Sequence, residues 1–225
     1  MTVFHSVLAF LSFASPPQGA TTTIEGTLLG YDGGNRVGVY RLLVGNRVEL
    51  VSRTGVTQFD ETVLRLRFRI GEQIRVQAVD SGDEPSARSR LTAQSVKVLR
   101  LPNTEWQILN GRMDDFVRSF AASPDDCRKA VRVSMGLDRE SQEALLSACR
   151  DRVQDSTPDA LGIMAWTVAE WTQGGFSAVI NPVIFSGKST LTVQVEKSPQ
   201  GTRIRRVIVV SGDTYWTLFG RPADH

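Results

Sequence analysis

A chain of 225 residues with 41% hydrophobic and 22% charged residues can bury one large core or two small ones, which argues against disorder and fibrous repeats. A formal net charge of +2 excludes recognition of a polyanion by overall field, so any such role has to come from local clustering. The only histidines are His5 and His225, which leaves the body of the chain without the residue that Ser-His-Asp, Cys-His and His-ligated metal chemistry require.

In chain order, residues 1–20 come first, without Asp, Glu, Lys or Arg and with an apolar run from Val7 to Ala14. That run is too short to span a bilayer. The Pro16-Pro17 breaker and the Gln18-Gly19-Ala20 exit have the form of a secretory leader, so an exported (periplasmic or secreted) protein starting near Thr21 is expected; a buried N-terminal strand is the alternative.

From Thr21 to Leu101 the hydrophobic period is two. Strands are expected over 24–29, 37–44, 47–52, 63–70, 73–79 and 91–99, with turns at Tyr31 to Asn35, Gly45-Asn46 and Asp80 to Pro85. Short strands at this spacing indicate a small antiparallel β-barrel over 21–101. After Leu101-Pro102 the period becomes helical, so 102–112 is read as a linker and 113–225 as a second, α+β unit.

Within that unit, helices are expected from Met113 to Ala122, from Pro124 to Met135, from Asp138 to Asp155, and from Pro158 through Ile163, Trp166, Val168 and Trp171 to Gly174. Four strands follow, over 176–185, 190–197, 202–210 and 214–219, giving helices laid on an antiparallel meander. Cys127 and Cys149 lie at nearly equal distances from the Gly136-Leu137-Asp138 helix break, where a hairpin would bring them to similar heights. A disulfide is therefore possible, and two buried thiols are the alternative.

The segments Ile24-Glu25-Gly26-Thr27-Leu28, Val48-Glu49-Leu50, Ile70 to Val76 and Leu91 to Val96 resemble the OB-type small barrels of exported bacterial proteins. Leu191 to Glu196, Ile204 to Val210 and Tyr215-Trp216-Thr217-Leu218 look like the α+β domains of nuclear transport factor 2. The fold class expected is thus α+β, an OB-like barrel followed by helices on a meander.

Candidate sites are few. Gly187-Lys188-Ser189-Thr190 imitates the end of a phosphate-binding loop, but Pro182 stands where that loop needs its first glycine, so the segment is read as a hairpin turn. Asp114-Asp115 and Asp125-Asp126 are read as helix-capping acids. Glu170, between Trp166 and Trp171 on an apolar helix, is a candidate for a desolvated acid, in a pocket completed by Phe185 and Trp216; a solvated helix-end carboxylate is the alternative. Arg65, Arg67 and Arg69 alternate with apolar residues and, with Arg75, form either a solvated outer face or a polyanion-binding stripe. The leading expectation is an exported, non-catalytic binding module for an unidentified protein or small ligand, with no cofactor and no metal. Export makes nucleic acid the less expected partner; a polyanion binder and a C-terminal small-molecule pocket are the rivals.

Overall fold

The computed structural model describes residues 20–33, 38–59, 69–82, 89–121, 137–151, 164–172, 174–182, 189–198 and 201–220. Five strands make the first half: β1 (Thr21–Gly33), β2 (Gly38–Val44), β3 (Arg47–Phe59), β4 (Gln73–Asp80) and β5 (Leu91–Arg100). They join in the order β1-β2-β3-β5-β4, with β4 returning to β1. This is the OB-like strand order. The expectation of an antiparallel barrel needs one correction, because β3 and β5 run parallel. An odd number of strands cannot alternate direction all the way round a ring. That seam pairs only Val51 to Arg53 and Gln58 to Phe59, with a register break between.

Period-two patterning builds the interior. Ile24, Leu28, Tyr40, Leu42, Ile74, Val76 and Ala78 are buried inside, while Glu25, Arg75 and Gln77 face outward. The strand expected over 63–70 does not reach its end: Arg69 and Ile70 lie in a turn closed by Glu72 N–H donating to Arg69 O at 3.2 Å, and 61–68 lie outside the described residues.

The expected linker 102–112 is mostly helix. Helix α1 (Thr104–Ala121) starts nine residues before the expected Met113, where Asn103 caps it: its Oδ1 accepts from Trp106 N–H at 3.0 Å. Trp106, Leu109, Met113 and Val117 are its buried stripe. Asp114 and Asp115 therefore lie mid-helix and do not cap; Asp114 Oδ1 accepts from Trp166 Nε1 at 3.4 Å. The expected helix from Pro124 lies outside the described residues, as do Asp125-Asp126. Helix α2 (Arg139–Asp151) begins where Asp138 Oδ1 accepts from Ser141 N–H at 2.7 Å, a bond that holds the Asp138 carboxyl below its usual range.

The second half holds a four-stranded antiparallel sheet, β6 (Trp166–Thr172), β7 (Gly175–Ile180), β8 (Ser189–Ser198) and β9 (Gly201–Ser211), in sequential order. Its membership differs from expectation at both ends. Residues 166–172, expected in a helix, form β6. The step of three from Val168 to Trp171 looks helical but arises from a bulge between Val168 and Glu170, which returns Trp171 to the face of Trp166 and Val168. Residues 214–219, expected as the last strand, lie in helix α3 (Asp213–Phe219), where Tyr215 and Phe219, four apart, are buried together. One of the three segments that carried the likeness to nuclear transport factor 2 is thus helical.

The halves share their core. Leu29 and Ile70 from the barrel side pack in one cluster with α1, α2 and the sheet face carrying Trp166, Phe176 and Val193. On the other side of the sheet, Val39 packs with Val179, Tyr215 and Phe219. Gly30 allows a close approach of β1 to β6: a Cβ there would lie 2.6 Å from Thr167 Cβ, and Thr167 Oγ1 donates to Leu29 O at 3.0 Å. The β9 edge is blunted by a bulge at Arg205 and by α2, whose Ser141 Oγ accepts from Val207 N–H at 2.9 Å.

Candidate functional site

Strands 2 and 3 are the usual ligand-bearing face of an OB barrel. Here the outer face of β2 is used inside the molecule. Arg41 projects from it and donates from Nε to Val168 O (3.1 Å), from Nη2 to Ala169 O (2.9 Å) and from Nη1 to Leu218 O (3.3 Å). It thereby ties together carbonyls at the β6 bulge and at the end of α3. Burial pulls its pKa below the usual guanidinium range. Asp32 at the end of β1 adds a second tie: Tyr215 OH donates to its Oδ1 at 3.3 Å, and Asn181 Nδ2 donates to the Tyr215 oxygen at 3.1 Å.

The described members of the expected aromatic pocket do not converge. Trp166 and Trp171 share a face of β6, but Trp171 is filled on both sides, stacked on Trp106 at 4.4 Å and capped by Lys197 Nζ 3.5 Å from its ring centre. Lys197 in turn pairs with Glu105 Oε1 at 2.6 Å. Glu170 is exposed on the opposite face, accepting a long 3.5 Å bond from Ser177 Oγ, because alternation along a strand separates it from both tryptophans. Trp216 packs in the separate cluster around Tyr215. Phe185 lies outside the described residues, as do Cys127 and the side chain of Cys149. Of the phosphate-loop imitation, Ser189 and Thr190 are described; Thr190 Oγ1 is buried and donates to Ile180 O, a hairpin-strand role.

A buried carboxylate lies elsewhere, at Glu72, where the turn after Ile70 enters β4. It is 1% exposed, and its Oε2 has no hydrogen-bond partner among the described residues. Burial raises its pKa, opposed by the backbone N–H and the charge of Arg69. Because the folded form holds this proton to higher pH than the unfolded chain, stability falls as pH rises from the ordinary glutamate range through the raised value. Glu72→Gln should be more stable than the wild type at pH 7, by about 1 kcal/mol, with the difference vanishing near pH 4. Urea unfolding at the two pH values measures this, and a gap of equal size at both would refute it.

The basic residues divide. Arg65 and Arg67 lie outside the described residues, and Arg69 is exposed in its turn. Arg75 sits on the outer face of β4, with its Nε 2.6 Å from Glu25 Oε1 on β1. On its other side stands Lys97 of β5, directly across the ladder, and one step along Arg100 stands opposite Gln73. Arg75, Lys97 and Arg100 are all exposed. Lys97 and Arg100 were missed in the sequence because they stand three apart on one strand, where a bulge in the β4–β5 register brings them to one side. Arg203, Arg205 and Arg206 on β9 are each paired with a carboxylate: Arg203 and Arg205 share Glu196 at 2.9 and 3.8 Å, and Arg206 pairs with Glu140 at 2.9 Å. Among the described residues no cluster of His, Cys, Asp and Glu could hold a metal ion, and no helix is long and apolar enough to cross a membrane.

No protein-family model matches the chain, and no curated protein matches it. Among solved structures, a chain of the S. pombe Stn1-Ten1 complex is 20% identical, over 44% of this chain and 71% of that one, with a TM-score of 0.26. Asparaginyl-tRNA synthetase from Pyrococcus horikoshii, complexed with asparaginyl-adenylate, is 11% identical over 80% of this chain, with a TM-score of 0.31. Aspartyl tRNA synthetase from Entamoeba histolytica is 10% identical over 74% of this chain, with a TM-score of 0.30. The chain spans 46% and 48% of the two synthetase chains. Superpositions this loose carry no argument about its activity.

Proposed function

We propose that this chain is a binding module without turnover and that it takes a single strand of nucleic acid across the outer face of β4 and β5. The observation that carries this reading is the exposed row of Arg75, Lys97 and Arg100 on that face, combined with the burial of the β2 face under the second half. A ligand that cannot reach the usual OB face meets the basic one. Neither β4 nor β5 contains an aromatic residue, so these strands offer charge to a phosphate backbone and no platform for bases. Affinity should then be indifferent to base identity and steeply salt-dependent.

Fluorescence anisotropy with labelled oligo-dT and oligo-dA tests it. Both should bind at low salt within about threefold of each other, with a log-log salt slope of about −2 for three phosphate contacts. A variant carrying Arg75→Gln, Lys97→Gln and Arg100→Gln should lose binding while keeping the wild-type urea midpoint. Tighter binding of heparin than of either oligonucleotide would replace nucleic acid by a sulfated polysaccharide. Absence of binding to all three would overturn the reading.

A further inference from the structure

We propose that Glu25 is a built-in competitor for the ligand's phosphate, occupying Arg75 in the unbound protein and setting the affinity of the β4–β5 face. The inference rests on the reading above and deepens it. Glu25, Arg75 and Lys97 lie in one row across β1, β4 and β5, each directly opposite the next. The carboxylate therefore enters the basic row from its β1 side and takes the Nε edge of the guanidinium at 2.6 Å. A phosphate arriving over β4 and β5 has to share Arg75 with it or displace it.

Displacement is within reach because the pair is held loosely. The side chains of Arg75 and Glu25 are 44% and 51% exposed, and ion pairs this open to water contribute little to stability. The same exposure lets a second anion approach the remaining edge of Arg75, where Glu25 repels it at short range. The carboxylate thus costs the fold almost nothing to separate, yet it sits where it opposes the ligand most. Its neutral isostere removes the competition and leaves strand pairing intact, since β1 and β4 are joined by their backbones from Thr21 to Thr27.

The experiment compares Glu25→Gln with the wild type in the same anisotropy titration with labelled oligo-dT, and repeats both in an Arg75→Gln background. At low salt Glu25→Gln should bind about fivefold more tightly, the size of one unit-charge interaction at about 4 Å in water. The gain should shrink as salt is raised, because exposed charges are screened. It should fall by at least half in the Arg75→Gln background, where there is no guanidinium left to release. An unchanged urea midpoint for Glu25→Gln separates this from a folding effect. If the wild type binds and Glu25→Gln binds no tighter, or if the gain is fully retained without Arg75, the inference is overturned and the binding reading stands. If no protein in the set binds, both are overturned.

Discussion

Replacing Gly71 by alanine should destabilise the protein by about 3 kcal/mol. Gly71 adopts φ +90°, a conformation that L side chains rarely take, at the turn between Ile70 and β4. Its N–H donates to Leu28 O at 2.8 Å, so the backbone cannot swing away without losing a link to β1. A Cβ at this position would lie 2.6 Å from both Cβ and Cδ2 of Trp106. The indole has nowhere to go, because it is buried in the shared core and stacked on Trp171. The backbone strain costs about 1 kcal/mol or more and the overpacking about 1–3 kcal/mol. Gly45→Ala isolates the first of these, since Gly45 has φ +61° and a methyl group added there would meet nothing within 4 Å. Urea unfolding should show a loss of about 1 kcal/mol for Gly45→Ala and about three times that for Gly71→Ala. Equal losses would mean that Trp106 yields freely.

Arg41→Met should cost about 3 kcal/mol, through three carbonyls rather than through a lost ion pair. Methionine matches the stem of arginine and keeps its packing, but Val168 O, Ala169 O and Leu218 O lose the donors that reach them. Arg41→Lys should recover only part of the loss, because one ammonium cannot address carbonyls spread over β6 and the end of α3 as a planar fork does. Unfolding of the wild type and of both variants should be a single transition with coincident tryptophan fluorescence and far-UV circular dichroism, because barrel residues Leu29 and Ile70 belong to the same core as α1, α2 and the sheet. Two separated transitions would show that the halves are independent and that Arg41 only decorates their junction.

The elements that the sequence misassigned share a cause. Trp166, Val168 and Trp171 looked like a helical stripe because a β-bulge shifts the period of a strand by one residue, and bulges are decided by the partner strand. Tyr215 to Phe219 looked like a strand by composition, although the spacing of its two buried aromatics was already that of one helix face. Asn103 was a legible cap, and the buried stripe it opens, beginning at Trp106 and Leu109, precedes the Met113 at which the helix was expected to start. Glu170 failed as a pocket acid for the same reason that β6 is a strand: alternation puts it on the far face from the tryptophans.

The OB-like run of strands in the first half was legible from the residues alone, because period-two burial and glycine-marked turns are local properties that each strand carries with it. So was the absence of histidine between His5 and His225, since that depends on composition. Which barrel face is free is a matter of packing between distant segments. Nothing in the residues around Arg41 says that its guanidinium ends on the carbonyls of a strand 127 residues away, or that Glu25, Arg75 and Lys97, separated by tens of residues, line up in one row. Those placements follow from strand register and from the docking of one half on the other, and such long-range pairings leave no local pattern to read.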